Sequence, residues 1–397
     1  MLPSYDIEDP DQVPAPMPEV EEGGYDIVNI LLLGSDTENP RNAGRTDVMV
    51  VVSVNRTAGT VSFLSIPRDL YVYIPGERVY RINSAFGYGQ QRDGQGIALL
   101  SETIQYNLGL TVDFYARVDF RSFRDIVDSL GGVDVPVDCA IEDWRLKEDS
   151  LDPAVEENWE MFSLPVGIYH FDGSLALWYA RSRRTTSDFD RGRRHQALLR
   201  SMWRRVQELG LVQQVAELWP EVSSRVTTDL SGQDILGLLP VATSLDSTRI
   251  RQFVLRQGHE VQPWSSPEGS SVLVPDRREL HELLENMYLP ATDRQLVRET
   301  PRILIVNASG FRALAQVAAD RLAWEGFEAI ISEDSAPYQE QTSLIDYSGR
   351  SKGGSLGKLI SITRLNEADV SVEIQAGRAY DFQLTLGGMY SACTYDR

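Results

Sequence analysis

The first folded stretch of the chain opens on an unbroken apolar run. Asp26 is followed by Ile27, Val28, Asn29, Ile30, Leu31, Leu32 and Leu33, and Gly34 closes it. Such a run predicts a strand buried on both faces that passes straight into a loop. Asp47 to Val54 and Thr60 to Ile66 predict two more strands, joined across Asn55–Gly59 by a hairpin-like turn. Leu70 to Ile74 is short and extended, and Pro75-Gly76 stops it. The spacing then changes: Ile97, Leu100, Ile104 and Leu108 recur at helical intervals, predicting a helix over 96–108. Val112 to Val118 predicts a strand, Phe120 to Leu130 a helix ended by Gly131-Gly132, and Val133 to Val137 a returning strand. Strands alternating with helices predict an α/β fold, and the early hairpin makes its central sheet mixed, with helices on its flanks.

Further along, Cys139 to Val166 is acidic and irregular and reads as a surface insertion. Ser174 to Tyr179 starts helical and runs into an arginine-rich segment. A long helix is predicted over 191–209, with Leu198, Met202, Val206 and Leu209 on its apolar face and Gly210 as its stop. Further helices and a strand or two carry this domain, 25–289, to its end. Residues 290–300 read as a linker. Pro301 opens a small C-terminal α/β domain over 301–397: strand Arg302–Val306, turn Asn307–Gly310, helix Phe311–Glu325, strand Glu328–Ser332, then Leu359–Thr363 and a strand pair, Val370–Ile374 and Tyr380–Leu386. Residues 1–24 stand apart. They hold seven acidic residues and five prolines with no Lys or Arg, which predicts an extended linker unable to bury a core. A linker at the start suggests a segment that preceded it.

Charge narrows the partners. The formal net charge is −20, so the chain as a whole repels nucleic acid, and any anionic substrate needs a local basic patch. No apolar stretch approaches the roughly 18 residues of a membrane span, and the start lacks the basic end and apolar block of a signal peptide. The two cysteines, Cys139 and Cys393, fit neither a zinc motif nor a redox CxxC. A disulfide is open to them outside the cell, but two separate buried thiols is the reading favoured.

Three segments place charge at the ends of apolar strands, where open α/β sheets put their ligand sites. Asp36 follows the first strand and Asp47 introduces the second. If those strands are antiparallel neighbours, two hard oxygen ligands with room for water meet at one sheet edge, which suits Mg²⁺; otherwise both residues cap loops. Arg68, after the third strand, either forks onto phosphate oxygens or pairs with Asp69 or another neighbour. Arg181, Arg183, Arg184, Arg191, Arg193 and Arg194 put six arginines into fourteen residues of an acidic chain. Arg191 falls in the first turn of a helix, where free N–H groups favour an anion. That concentration points to anion binding, with Asp188 and Asp190 as partial neutralisers. The four histidines form no metal spacing, no GxSxG elbow is present, and Gly87-Tyr-Gly89 is followed by no GKS or GKT.

Taken together, Leu31-Leu-Leu-Gly-Ser-Asp36, Gly44-Arg-Thr-Asp47, Leu64-Ser-Ile-Pro-Arg-Asp69, Arg81-Ile-Asn-Ser-Ala-Phe-Gly87, Leu130-Gly-Gly-Val-Asp-Val135 and Tyr179-Ala-Arg-Ser-Arg183 with Asp188-Phe-Asp-Arg191 occur in order. This resembles the catalytic domain of the LytR-CpsA-Psr family, and 301–390 resembles the C-terminal accessory domain of some members. The resemblance implies a transferase that moves a phosphate-linked glycopolymer, such as a teichoic acid or capsule, from a polyprenyl-pyrophosphate carrier to peptidoglycan. It implies Mg²⁺, with Mn²⁺ as the alternative, on Asp36 and Asp47. Arg45, Arg68, Arg181, Arg183 and Arg191 would grip the pyrophosphate, and Asp47 or Asp69 would take the proton of the attacking muramic acid 6-hydroxyl. The lipid would lie in a tunnel lined by helices 97–108 and 120–130, on the extracellular face of a bacterial membrane. Members usually start with a transmembrane helix, so the anchor is expected to have been trimmed from this chain. His195-Gln196 stands where Gln-Gln is usual. Two other readings stay open: a lipid-pyrophosphate pyrophosphatase, and a non-enzymatic lipid- or glycan-binding regulator.

Overall fold

The initial apolar run forms a strand buried on both faces, β1 (Ile27–Ser35), in the computed structural model. The structure describes residues 13–35, 46–148, 150–185, 187–245, 249–289, 301–334, 336–350, 355–391 and 393. Asp36, Arg45 and the expected linker 290–300 lie outside them. β1 pairs antiparallel with β2 (Thr46–Asn55), and β2 with β3 (Thr60–Ser65). A crossover adds β4 (Phe114–Asp119) parallel to β1, and β5 (Thr227–Thr228) borders β4. A second crossover sets β6 (Ile250–Val254) parallel to β3. The result is a six-stranded mixed sheet in the order β5-β4-β1-β2-β3-β6. Gly34 sits at a bulge in β1, and a Cβ there would lie 2.9 Å from that of Val48, so only glycine lets the strands close at this edge.

Strand alternation gives the two faces of the sheet different fates. Leu31, Leu33, Met49, Val51 and Leu64 pack into a closed core with Leu100, Ile104 and Leu108 of α1 (Gly96–Leu108) and Leu280 and Leu284 of helix Arg277–Tyr288. Leu32, Val48 and Val50 face the other way, towards α2 (Phe120–Ser129), α3 (Gly173–Arg181) and α4 (Asp188–Glu208). There the layers do not close, and a cavity of about 510 Å³ remains. Carboxylate caps start two of these helices: Asp119 accepts from the Ser122 amide and Asp172 from the Leu175 amide, each at 2.8 Å. α4 begins three residues earlier than the apolar spacing predicts. Ser187 and Asp190 form a capping box that recruits Asp188 and Phe189 into the helix.

Several expectations need correction. Residues 13–24 are no free linker. Met17 donates its amide to Tyr106 O at 2.8 Å, Val20 to Gly109 O at 2.9 Å, and both side chains are buried against the body of the domain. Burying two such groups contributes roughly 1.5–3 kcal/mol each towards holding this segment on the domain, beside its backbone hydrogen bonds. Gly109, at φ +71°, makes room: a Cβ would sit 2.0 Å from Pro18 O. The acidic stretch after Cys139 is a β-hairpin, Ile141–Leu146 with Trp159–Leu164. Cys139 and Cys393 are disulfide-bonded rather than separate thiols. Folding overcomes their 254-residue separation because the second unit docks on the first.

That second unit is a five-stranded sheet in the order Glu328–Ile331, Arg302–Asn307, Phe382–Leu386, Ser343–Asp346, Val370–Val372, with α5 (Arg312–Trp324) against it. The two last predicted strands do not pair with each other. Ser343–Asp346, which polar flanks conceal in the sequence, lies between them. Asp320 of α5 accepts from Arg200 at 2.9 Å and Arg204 at 2.5 Å on the back of α4, and Arg200 stacks on Trp324 with its guanidinium 3.4 Å from the ring centroid.

Candidate active site

The charged residues picked from the sequence converge where β2, β3 and α4 meet the mouth of the cavity. Asp47 is the second residue of β2. Arg68 and Asp69 lie in the turn after β3, which the Leu70 amide closes onto Pro67 O at 3.1 Å. Arg183 follows α3, and Arg191 lies in the first turn of α4 with its side chain 6% exposed. Arg68 Nη1 donates to Asp47 Oδ1 at 2.8 Å, and Arg183 Nη2 stands 3.9 Å from the same oxygen. Arg68 Nε is 3.4 Å from Asp69 and 3.5 Å from Asp188, and Arg191 Nη2 donates to Asp188 at 3.1 Å.

Asp188 and Arg81 are additions the sequence reasoning did not place at the site. Asp188 read as a neutraliser and proves to bridge Arg68 and Arg191. Arg81 stands 3.4 Å from Asp69 Oδ1. It sits within a recognised motif, but nothing in its spacing marks it as facing the others. Arg181 lines the same cavity, yet its guanidinium lies over the Phe120 ring, 4.4 Å from the centroid, on the apolar wall rather than among these ion pairs.

Four cations and three carboxylates leave the cluster cationic in a strongly acidic chain. The two carboxylates weighed as bases differ. Burial works against the charged form of Asp47, but Arg68, Arg183 and Arg191 together outweigh it and hold the group below its ordinary pKa. Asp69 goes the other way: burial, with the Asp188 carboxylate beside it, raises its pKa despite Arg68 and Arg81. Burial also pushes Arg191 down to about 10 and Arg183 in the same direction. The buried Nε–H groups of Arg68 and Arg81 have no hydrogen-bond acceptor of good geometry among the described residues. Unsatisfied buried donors are costly, and Arg68 lines the cavity mouth, where an anionic ligand would supply acceptors. His195, also on the cavity wall, is held neutral: burial and Arg191 push it down to about 3, and its Nε2 donates to Ala180 O at 3.0 Å.

A cavity lies between sheet and helices where the tunnel is expected, with a different lining. Phe120, Phe123 and Ile126 of α2 contribute as predicted, but α1 packs on the far face of the sheet, and α3 and α4 take its place through Leu177, Leu198, Leu199 and Met202. An apolar cavity under a helical layer, ending at a cluster of arginines, defines an α/β protein built to hold an amphiphile with an anionic head. Of the proposed metal ligands, Asp47 lies at this mouth and Asp36 outside the described residues. Among the described residues no group of three or more His, Cys, Asp or Glu side chains is arranged to hold a metal ion.

The chain belongs to the LytR_cpsA_psr family, whose model matches residues 6–288. It is 31% identical over 244 residues to the polyisoprenyl-teichoic acid–peptidoglycan teichoic acid transferase TagT of Bacillus subtilis, a match covering 60% of this chain and 70% of that protein. It is 30% identical to TagU of Oceanobacillus iheyensis, over 54% of this chain and 62% of the relative. It is also 30% identical to the probable cell wall biosynthesis protein LcpB of Corynebacterium glutamicum, over 52% and 48%. The chain thus spans from about half to 70% of the length of these curated relatives. Among solved structures, TagV of B. subtilis superposes with a TM-score of 0.54 at 25% identity, covering 66% of this chain and 95% of that one. A structure of TagT bound to LI-WTA gives 0.50 at 27%, covering 70% and 95%. No helix among the described residues is long and apolar enough to cross a membrane.

Proposed function

We propose that this chain transfers a phosphate-linked glycopolymer from a polyprenyl-pyrophosphate carrier onto peptidoglycan, on the extracellular face of a bacterial cytoplasmic membrane. The observation that carries this reading is the apolar cavity of about 510 Å³ ending at Arg68, Arg183 and Arg191. An isoprenoid chain suits the cavity and a pyrophosphate suits its mouth. The relatives named as teichoic acid transferases to peptidoglycan support the reading, as does the TagT structure bound to LI-WTA. The disulfide supports placement outside the cytoplasm, where such bonds persist.

In this account the glycan stays in solvent and the arginines neutralise charge on the pyrophosphate, where phosphoryl transfer draws most of its rate from positioning and electrostatics. Asp69, whose proton affinity burial raises, accepts the proton of the muramic acid 6-hydroxyl. That oxygen bonds to the phosphorus nearest the glycan, the bond from that phosphorus to the bridging oxygen breaks, and polyprenyl phosphate departs with the bridging oxygen. Asp47, held ionised, is suited to a hard cation instead. Magnesium, which takes one or two carboxylates and completes its shell with water and phosphate oxygens, fits Asp47 beside a bound pyrophosphate, with Asp36 as the second candidate; Mn²⁺ is the alternative. The ion would add charge neutralisation at the phosphates.

The test follows label from a radiolabelled lipid-pyrophosphate glycan, with and without peptidoglycan fragments, in Mg²⁺, in Mn²⁺ and in chelator. Transfer to peptidoglycan that needs the divalent ion and is lost in Asp47→Ala and Arg183→Ala is the expected result. Release of free sugar phosphate regardless of acceptor would make the protein a pyrophosphatase. Tight lipid binding without turnover would make it a binding protein.

A further inference from the structure

The transferase reading leaves the acceptor without a binding surface, and the hairpin after Cys139 has the features of one. Its strands place Trp144 directly opposite Met161 and Leu146 opposite Trp159, so these four side chains share a face. Trp144 is 54% and Met161 38% exposed. The opposite face is anchored: Phe162 meets Trp178 edge-on with centroids 5.0 Å apart, and Arg145 lies over Phe162.

The hairpin is also fastened to the segment that carries the catalytic arginines. Asp143 accepts the backbone amides of Arg183 at 2.7 Å and Arg184 at 3.2 Å. Trp178 Nε1 donates to Trp144 O at 3.1 Å, and the Arg184 guanidinium bridges Glu142 at 2.5 Å and the Met161 sulfur at 3.2 Å. Asp143 holds Arg183 from the anchored face, and the exposed face of Trp144 and Met161 is joined to the same segment through Arg184, the residue after Arg183, which reaches Glu142 and the Met161 sulfur.

We propose that this face is the platform for the acceptor glycan, a proposal that rests on the transferase reading. The chemistry selects among occupants. An indole flanked by a thioether matches the apolar C–H face of a sugar ring, and the carboxylates around it accept sugar hydroxyls. Between residues 141 and 164 there are eight acidic residues against two basic ones. That charge repels an anionic lipid surface and equally the phosphate-rich donor polymer, leaving the largely uncharged sugar rings of a peptidoglycan strand as the partner. A ring stacked on Trp144 brings its neighbours in the strand to Arg183 and Asp47, where the hydroxyl must arrive.

The experiment compares the full chain with Trp144→Ala and Trp144→Phe. Each is cosedimented with peptidoglycan stripped of attached polymers and, separately, with phosphatidylglycerol vesicles, and each is assayed for the acceptor KM. Trp144→Ala is expected to bind peptidoglycan about tenfold more weakly and to raise the acceptor KM by a similar factor, leaving the donor KM in place, while Trp144→Phe keeps most of the affinity. Because Trp144 is exposed, melting temperatures of the three proteins should coincide, which separates lost binding from lost folding. Unchanged peptidoglycan binding and acceptor KM in Trp144→Ala overturns the platform, and so does loss of vesicle binding in its place, which would assign the face to the membrane. Wild-type protein that binds peptidoglycan through Trp144 yet transfers nothing would sink the transferase reading and leave the platform standing.

Discussion

Helix α4 meets two unlike surroundings on its two sides. Its front carries Arg191, His195, Leu198, Leu199 and Met202 to the cavity. Its back carries Arg200 and Arg204 to Asp320 of the C-terminal domain. The arginines at the back are partnered by the protein's own second domain, with Arg200 buried, stacked on Trp324 and pushed down to about 10 by burial. At the front, Arg191 shares Asp188 with Arg68, and Arg183 stands beside Asp47, so these arginines pair with carboxylates of their own domain at the cavity mouth rather than with a second domain. One arginine-rich stretch therefore serves two ends. Helical periodicity divides it into a ligand-binding side and a structural side, and the count of arginines alone cannot say which is which.

The contrast can be broken from either side. Asp320→Ala strips Arg200 of its carboxylate and should cost about 3–5 kcal/mol of stability, read by urea or thermal unfolding, while the folded fraction keeps its turnover. Equal loss of turnover in fully folded protein would show that the two sides are one unit. Arg191→Ala should do the reverse: turnover falls about 10²- to 10³-fold, roughly 2.7–4 kcal/mol, with a smaller loss of stability than Asp320→Ala, because Arg68 stays beside Asp188 and the cluster loses one of its surplus cations. Replacing Cys139 and Cys393 by serine should lower stability by about 2–4 kcal/mol, the range for a native cross-link, again with activity retained below the shifted melting temperature.

The smallest effect is in pH dependence. Folding raises the pKa of Asp69, so whatever stability that group contributes is present below the unfolded carboxylate value and lost as pH climbs through the folded one. Catalysis runs oppositely, since only the ionised form accepts a proton. The acid limb of kcat against pH should therefore lie above the ordinary carboxylate range and disappear in Asp69→Asn. For Asp47 the sign is reversed: its pKa is lowered, so its stabilising contribution holds above the unfolded value and fades as pH falls through the folded one.

Much of this architecture was legible in the chain. The unbroken run Ile27–Leu33 announced a central strand, charge at strand ends marked Asp47 and Arg68, the arginine concentration marked Arg183 and Arg191, and the family resemblance added Asp69; the fold brings these five together. What stayed hidden has physical causes. Helical spacing in 96–108 shows that one side is apolar but not which face of the sheet receives it, so α1 was set on the cavity that α3 and α4 line. Met17 and Val20 are two apolar residues in a segment whose prolines and acids dominate its composition. The hairpin at 141–164 mixes charge into both faces, which blurs alternation. The capping box at Ser187 and Asp190 was readable, and with it the place of Asp188 on the helix. The disulfide depends on a docking that no local pattern encodes.

The central claim is that the carrier lipid lies in the cavity with its pyrophosphate at the arginines. It is tested most directly by the dissociation constant of a polyprenyl pyrophosphate for the parent protein, Ala116→Trp and Arg191→Ala, beside that of geranyl pyrophosphate, whose chain is much shorter. Ala116 lines the cavity, and an indole there occupies the space of the lipid. The account predicts that Ala116→Trp loses the long-chain ligand and keeps the short one, while Arg191→Ala weakens both. Long-chain binding by Ala116→Trp at parental strength would place the lipid elsewhere and contradict the account.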